Sequence, residues 1–329
     1  MPLTLAVELI EPGVRLITLQ RPQALNALNT QLLGELADKG RLVINVSLPM
    51  TLVPGMTNDR RRALYDQAAQ PARGKLRFGA VKMFMDGVFD PWTAFRTDDY
   101  PDRPGFRGVP LFDPSEFARN CIEADACGLQ IATHAVGDGA VRATLDGYAA
   151  ARKANGARDS RHRVEHIDML HPDDLHRLRA LGVIASMQPV HPPGSSGLPL
   201  EPTVSIMGAN RWSDAFAWRC ILRSGAVIAF GTDWPISPLS PFNALHSALA
   251  RQPWEQDVPD QRLTPGECLT AYVEGGAHAM FADTRRGRLD IGREADLILV
   301  EGAVENLAVS PTAATLRLTV ASGRIVYRA

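Results

Sequence analysis

Residues 129–138 read LQIATHAVGD and residues 163–168 read RVEHID. Twice, an apolar run of strand length ends in a histidine and gives way to a polar turn. Working outward, GAVKMFMDG (79–87), VIASMQPVH (183–191) and VIAFGTDWP (227–235) repeat the form: a short apolar run, then a turn, then a helical pattern. Strands are expected at residues 42–48, 79–85, 129–134, 163–166, 183–188 and 227–232. Strands that alternate with helices imply a parallel sheet covered by those helices. The helix after RVEHID shows both ends: Pro172 suits a first helical position, Asp173 and Asp174 favour the positive end of the dipole, and Gly182 suits a left-handed stop.

Six such strands are expected, whereas a closed barrel of this kind has eight. The fold class is read as α/β, an incomplete (β/α)8 TIM-type barrel. After it, GRLDIGREADLILVEG and LRLTVASGRIVYRA read as antiparallel strands joined by Gly turns, a small C-terminal β-element. Before it, residues 6–20 alternate about Pro12-Gly13 as a hairpin. A helix over residues 24–38 follows, with Leu25, Leu28, Leu32 and Leu36 near one face and Asn26 or Asn29 as its cap. The expected organisation is an N-terminal segment (1–40), a partial barrel (41–285) and C-terminal β-sandwich strands (286–329).

Composition narrows the function. The chain has 329 residues, 45% hydrophobic and 22% charged, with a formal net charge of -1. That suits a globular protein with a large core. Lys and Arg are scattered, so no nucleic-acid footprint is expected. The four cysteines, Cys121, Cys127, Cys220 and Cys268, form no CxxC pair, which suggests neither a disulfide framework nor a thiolate metal site. The first twenty residues carry Glu8 and Glu11 and lack a basic start, and the apolar runs are short. The reading is a cytoplasmic protein without a signal peptide or a membrane partner.

Four residues lie at or near the ends of separate expected strands: Lys82, His134, His166 and Asp233. In a (β/α) barrel those ends converge on one face, so distant residues meet there. Either histidine alone reads as a hydrogen-bonded core residue. Two on consecutive strands supply neutral imidazoles to one rim, as a zinc site needs. Lys82 sits in an apolar strand, where it either snorkels to a wet rim or is neutral and takes up carbon dioxide as a carbamate. Asp233 either caps the following turn or acts as a general base beside a metal site. Asp138, in GDGAV, is expected to cap the helix that follows it.

The order Lys82, His134, His166, Asp233, set in VKMFMDG, THAVGDGAV, VEHID, SMQPVH and GTDWPISP, resembles the amidohydrolase superfamily. It is most similar to the branch of D-aminoacylase-like and N-substituted formamide deformylase-like enzymes. The segment GRLDIGREADLILVEG resembles the stretch with which these enzymes complete a small β-sandwich. The resemblance implies that Lys82, possessing an N-carboxyl group, and His134 and His166 are metal ligands, and that Asp233 is the catalytic base. In this reading His191 and Trp234 either line the substrate pocket or simply pack against their neighbours. It also implies a divalent metal such as zinc and a small-molecule amide as substrate. Family members carry a His-x-His pair on the first barrel strand, and this sequence has no histidine before His134.

Residues 1–40, notably VELIEPGVRLITLQRPQALNALN, resemble instead the opening of a crotonase-family enoyl-CoA hydratase. The sequence thus reads as an N-terminally truncated amidohydrolase fused to a crotonase-like segment. The leading functional expectation is a metal-dependent hydrolase of non-peptide carbon-nitrogen bonds, impaired by loss of the pair. Its alternatives are a non-catalytic remnant that binds metal or small molecules and, more weakly, a crotonase-type acyl-CoA enzyme. Two missing strands leave two sheet edges to be covered, and a homodimer is one way to cover them.

Overall fold

The structure, a computed structural model, describes residues 5–11, 14–19, 30–42 and 44–329, with side chains described from residue 32 onward. Strands β1 (Leu5–Glu11) and β2 (Val14–Leu19) pair antiparallel, as the alternation predicts. Their turn residues, Pro12 and Gly13, lie outside the described residues, as do Asn26, Asn29, Leu25 and Leu28 of the expected helix. Helix α1 is described over Thr30–Asp38, where Leu32 and Leu36 form a small cluster with Leu42.

That cluster explains a correction. Residues 42–48 do not form the first barrel strand. Leu42 packs against α1, Ile44 is exposed, and among the described residues of this run only β3 (Val46–Ser47) is strand. It pairs with β5 (Leu76–Arg77) in a separate two-stranded sheet. The edge position falls to β4 (Met50–Thr51), beside β6 (Ala80–Phe84). Between the two pairings, Pro49 has no N–H to give, and Gly79 bends the opposing chain at a φ of 109°.

From β4 onward the expected alternation holds. Helix α2 (Asn58–Ala68) precedes β5 and β6. Then come α3 (Pro114–Ala126), β7 (Gln130–Ala135), α4 (Asp138–Asn155), β8 (Arg163–His166), α5 (Leu175–Leu181) and β9 (Ile184–Met187). After α6 (Thr203–Met207) and α7 (Trp218–Arg223) comes β10 (Ile228–Phe230). The six strands form one parallel sheet in the order β10-β9-β8-β7-β6-β4. Among the described residues β4 and β10 are its two edges, so the barrel is incomplete. Gly182 stops α5 at a φ of 67°, as its sequence signal predicts.

Pleating divides the sheet cleanly. Val81, Met83, Ile131, Thr133 and Val164 are fully buried on the helix-covered face. Lys82, His134, Arg163 and Glu165, on the other face, keep part of their surface. Helices α8 (Pro241–Ala250), α9 (Pro265–Thr270) and α10 (Gly276–Ala279) follow, with a π-helical turn over Ala271–Gly275. This last stretch closes the N-terminal ends of the strands. Arg77 Nη1 donates to the Met280 carbonyl at 2.8 Å, Gln130 Nε2 to Ala279 at 3.0 Å and Arg161 Nη1 to His278 at 2.9 Å.

The C-terminal element is a three-stranded antiparallel sheet, β11 (Leu297–Glu301), β12 (Thr315–Ala321) and β13 (Arg324–Arg328). Gly323 turns β12 into β13 at a φ of 75°. Residues 287–292 are not strand, and β11 reaches β12 through a 3-10 helical segment, Val304–Ala308, instead of a Gly turn. No described helix is long and apolar enough to cross a membrane.

The long loop between β6 and α3 lies on the start of α4. Asp138 does not cap that helix; Gly137 occupies the N-cap and Asp138 is the first helical residue. Its carboxylate instead holds the loop, accepting from Thr97 N at 3.0 Å and from Arg211 Nη2 at 2.6 Å. Packing is so close that a Cβ on Gly137 would stand 2.1 Å from the Phe95 carbonyl oxygen. Gly137→Ala is expected to cost about 1–3 kcal/mol through overpacking, read as a lowered urea midpoint; an unchanged midpoint means the loop is not seated this way.

Candidate metal centre and active site

The register of the sheet builds the site. Phe84 pairs with His134, and His134 with Glu165, so these three stand in one row on the inner face. Lys82 lies one inward step below Phe84, its Nζ 5.0 Å from the ring centroid. Glu165 Oε1 lies 3.1 Å from Arg163 Nε.

Simple alternation would send His166, the last residue of β8, to the helix-covered face. It does not go there, because His166 and Ile167 adopt φ values of 79° and 53° and break the pleat. Such conformations cost about 1–3 kcal/mol each and persist only where the surroundings enforce them. The result brings the His166 ring to 4.5 Å from that of His134 and 5.7 Å from that of His191, centroid to centroid.

Each ring is held by a partner. His134 Nε2 lies 2.9 Å from the Gly87 carbonyl oxygen, an acceptor, so Nε2 carries the proton and Nδ1 keeps a lone pair. His166 Nδ1 lies 2.9 Å from Gln188 Oε1, which leaves Nε2 with the lone pair. His191 Nε2 is 3.4 Å from Ser237 Oγ and 3.8 Å from Asp233 Oδ2. Asp233, at a φ of 56°, follows β10. His166, His191 and Asp233 offer ligand atoms that all lie within 4.8 Å of one another.

Desolvation sets the protonation of this group. Burial holds His166 well below the usual imidazole range, assisted by His134, Lys82 and His191, while Gln188 opposes. Burial likewise lowers His134, and it takes His191 down to about 4. Burial lowers Lys82 too, against the pull of Glu165. Asp233 is raised by burial, with Lys82 opposing. Neutral imidazoles, a lysine made less basic and a carboxylate are a donor set that fits a divalent metal ion.

Of the residues singled out from sequence, Lys82, His134, His166, His191 and Asp233 are thus brought into one electrostatic cluster. Trp234 follows Asp233 at the edge of the cluster: it is 57% exposed, and its indole has no ring or hydrogen-bond partner among the described residues. Sequence reasoning missed three participants. Gln188 orients His166, although it stands in the SMQPVH stretch. Asp86, ending VKMFMD, accepts from Val136 N, Gly137 N and Phe95 N, each at 2.9 Å, and so fixes the loop that carries Gly87. Burial still raises Asp86 to about 7. Asp168, near Asp86 and Asp233, is raised by burial to about 8.

A sequence profile described as "Amidohydrolase family" matches residues 20–327. The chain belongs to this family. It is 30% identical over 260 residues to the putative amidohydrolase YtcJ of Bacillus subtilis (strain 168), covering 77% of this chain and 47% of that protein. It is 26% identical over 248 residues to the N-substituted formamide deformylase of Arthrobacter pascens, covering 72% of this chain and 43% of the relative. Among solved structures, a metal-dependent hydrolase from Pyrococcus furiosus superposes with a TM-score of 0.67 at 28% identity, over 80% of this chain and 52% of the other. The chain therefore spans about half the length of the proteins it matches. The matched region starts at residue 20, inside the N-terminal segment expected over residues 1–40.

The raised carboxylates make a pH dependence. A folded Asp168 keeps its proton up to about pH 8, whereas the unfolded chain releases it near pH 4. Stability from this source is complete at low pH and is lost as pH rises through the folded value. Above about pH 7 the clustered His134, His166 and His191, lowered by burial in the folded state, are largely neutral in both states. The metal-free protein is expected to lose stability between about pH 7 and 8, and Asp168→Asn to lessen the loss, in urea titrations across that range. An equal loss in the variant means Asp168 is ionised throughout.

Proposed function

We propose that this chain carries the catalytic face of a metal-dependent hydrolase acting on carbon-nitrogen bonds of small non-peptide amides. The observation that supports it most is the convergence of His166, His191 and Asp233 within 4.8 Å, with the His134 ring beside them. Family membership and likeness to a metal-dependent hydrolase add to this support.

In this reading His134 Nδ1, His166 Nε2 and an N-carboxylated Lys82 are the ligands. Burial favours the neutral Lys82 amine, whose nitrogen adds to carbon dioxide with release of one proton, giving an anionic carbamate oxygen. A divalent ion such as zinc held there supplies Lewis acidity toward a carbonyl and toward water. Asp233, raised toward the range of proton transfer, takes a proton from the attacking water and returns it to the departing nitrogen as the carbon-nitrogen bond breaks. His191 and Trp234 contact the substrate at the open side. Likeness to the formamide deformylase makes N-formyl and N-acyl amines the first substrates to screen.

A specific observation favours a second ligand set. His166, His191 and Asp233 are the triad whose ligand atoms are already close, which would make His191 a ligand instead of a substrate contact. The crotonase-like reading of residues 1–40 and a homodimer that covers the sheet edges stand as further proposals, as does placement in the cytoplasm.

Elemental analysis of the folded protein, reconstituted with zinc and bicarbonate, is expected to show about one metal ion per chain. His166→Ala should abolish it. His191→Ala separates the two ligand sets: retained metal supports Lys82, His134 and His166, and lost metal supports the triad. Retained metal in both Lys82→Ala and His166→Ala would sink the assignment. For catalysis, Asp233→Asn should keep the metal and abolish hydrolysis of a formamide; an unchanged rate means Asp233 is not the base.

A further inference from the structure

Away from the histidine cluster, Arg251 just beyond α8 is a withdrawn cation that lacks an anion. Among the described residues it makes no ion pair. Its Nη1 donates to the Phe216 carbonyl oxygen at 3.1 Å. Its guanidinium lies 5.3, 5.4 and 5.1 Å from the ring centroids of Phe216, Trp218 and Trp254. Burial lowers its pKa to about 10, with Asp260 opposing. Aromatic faces stabilise a guanidinium from above, but its donor edge still seeks a planar acceptor. A buried charge without a partner is costly, and an anionic ligand would remove that cost.

Arg251 lines a cavity of about 590 Å³, a size suited to a small organic molecule. Leu200, Val204, Trp212 and Trp254 give it apolar walls. Glu201 and Glu255 also line it, and both are exposed. Glu201 is engaged by Ser205, through its N at 3.2 Å and its Oγ at 2.8 Å. Two carboxylates at the open side repel polyanions such as phosphates, whereas one buried guanidinium matches a single carboxylate.

We propose that this cavity binds a small monocarboxylate with an apolar body, its carboxylate paired with the donor edge of Arg251 and its body against Trp212 and Trp254. The site is distinct from the metal centre, since none of the clustered residues Lys82, His134, His166, His191 and Asp233 lines it. The chain from His191 to Gly194 runs between the two, and Trp254 Nε1 donates to the Pro193 carbonyl oxygen at 3.4 Å. The inference goes beyond the proposed hydrolysis and does not depend on it.

The test uses full-length protein freed of metal with a chelator, so that no carboxylate is read at a metal. The protein is titrated with 3-phenylpropionate and with its neutral counterpart 3-phenylpropanamide, by calorimetry and tryptophan fluorescence. The acid is expected to bind at least about tenfold more tightly than the amide, a ratio that corresponds to about 1.4 kcal/mol. Arg251→Met, which keeps length and removes the charge, should erase that preference, while His166→Ala should leave it intact. Equal binding of acid and amide by the unaltered protein overturns the proposal whether or not the variants fold. So does an undiminished preference in folded Arg251→Met, or the absence of saturable binding.

Discussion

Parallel hydrogen bonding ties Phe84, His134 and Glu165 into one row, and the remainder of the site is built on that row. A parallel sheet places every strand's C-terminal end on the same side. His166, just beyond the row, therefore reaches both Gln188 and Asp233 although the sequence separates them widely. If the β7–β8 pairing slipped by one residue, each side chain would exchange the inner face for the helix-covered one. The fully buried Val81, Met83, Ile131 and Val164 on the outer face prevent such a slip.

On that frame, local conformations work against ordinary preference. His166, Ile167 and Asp233 have positive φ, three imidazoles are held neutral by burial, and Lys82 is made less basic. Such departures from relaxed structure gather where chemistry is done. The supporting contacts are equally specific: Asp86 fixes three backbone N–H groups around the start of α4, and Asp138 with Arg211 holds the loop above. Rigidity of this kind keeps the clustered side chains from collapsing onto one another.

Much of this was legible in the chain. Strand ends marked by His134, His166 and Asp233, the stop at Gly182 and the hairpin at Gly323 follow from short-range rules of pattern and turn chemistry. The first barrel strand was misplaced because an apolar run says that a segment is buried without saying against what. Leu42 found Leu32 and Leu36 of α1, and the sheet took Met50 and Thr51 instead. Asp138 carried the signal of a cap, yet its carboxylate serves a loop 41 residues distant in sequence. Asp86, Gln188 and Asp168 gave no signal, because an acidic or amide side chain at a strand end looks alike whether it meets solvent or a neighbour.

The sequence by itself determined the alternation of strands and helices, the expectation of a sheet two strands short of closure, and the residues that could reach one rim. These depend on periodicity and local backbone preference, which are properties of neighbouring residues. Only the tertiary structure decided which nitrogen of His134 and of His166 is free, that His191 lies with His166 and Asp233, and that Arg251 lines a cavity while making no ion pair among the described residues. Those outcomes depend on distances between residues far apart in the chain and on the water removed around them. Neither quantity exists until the sheet has formed.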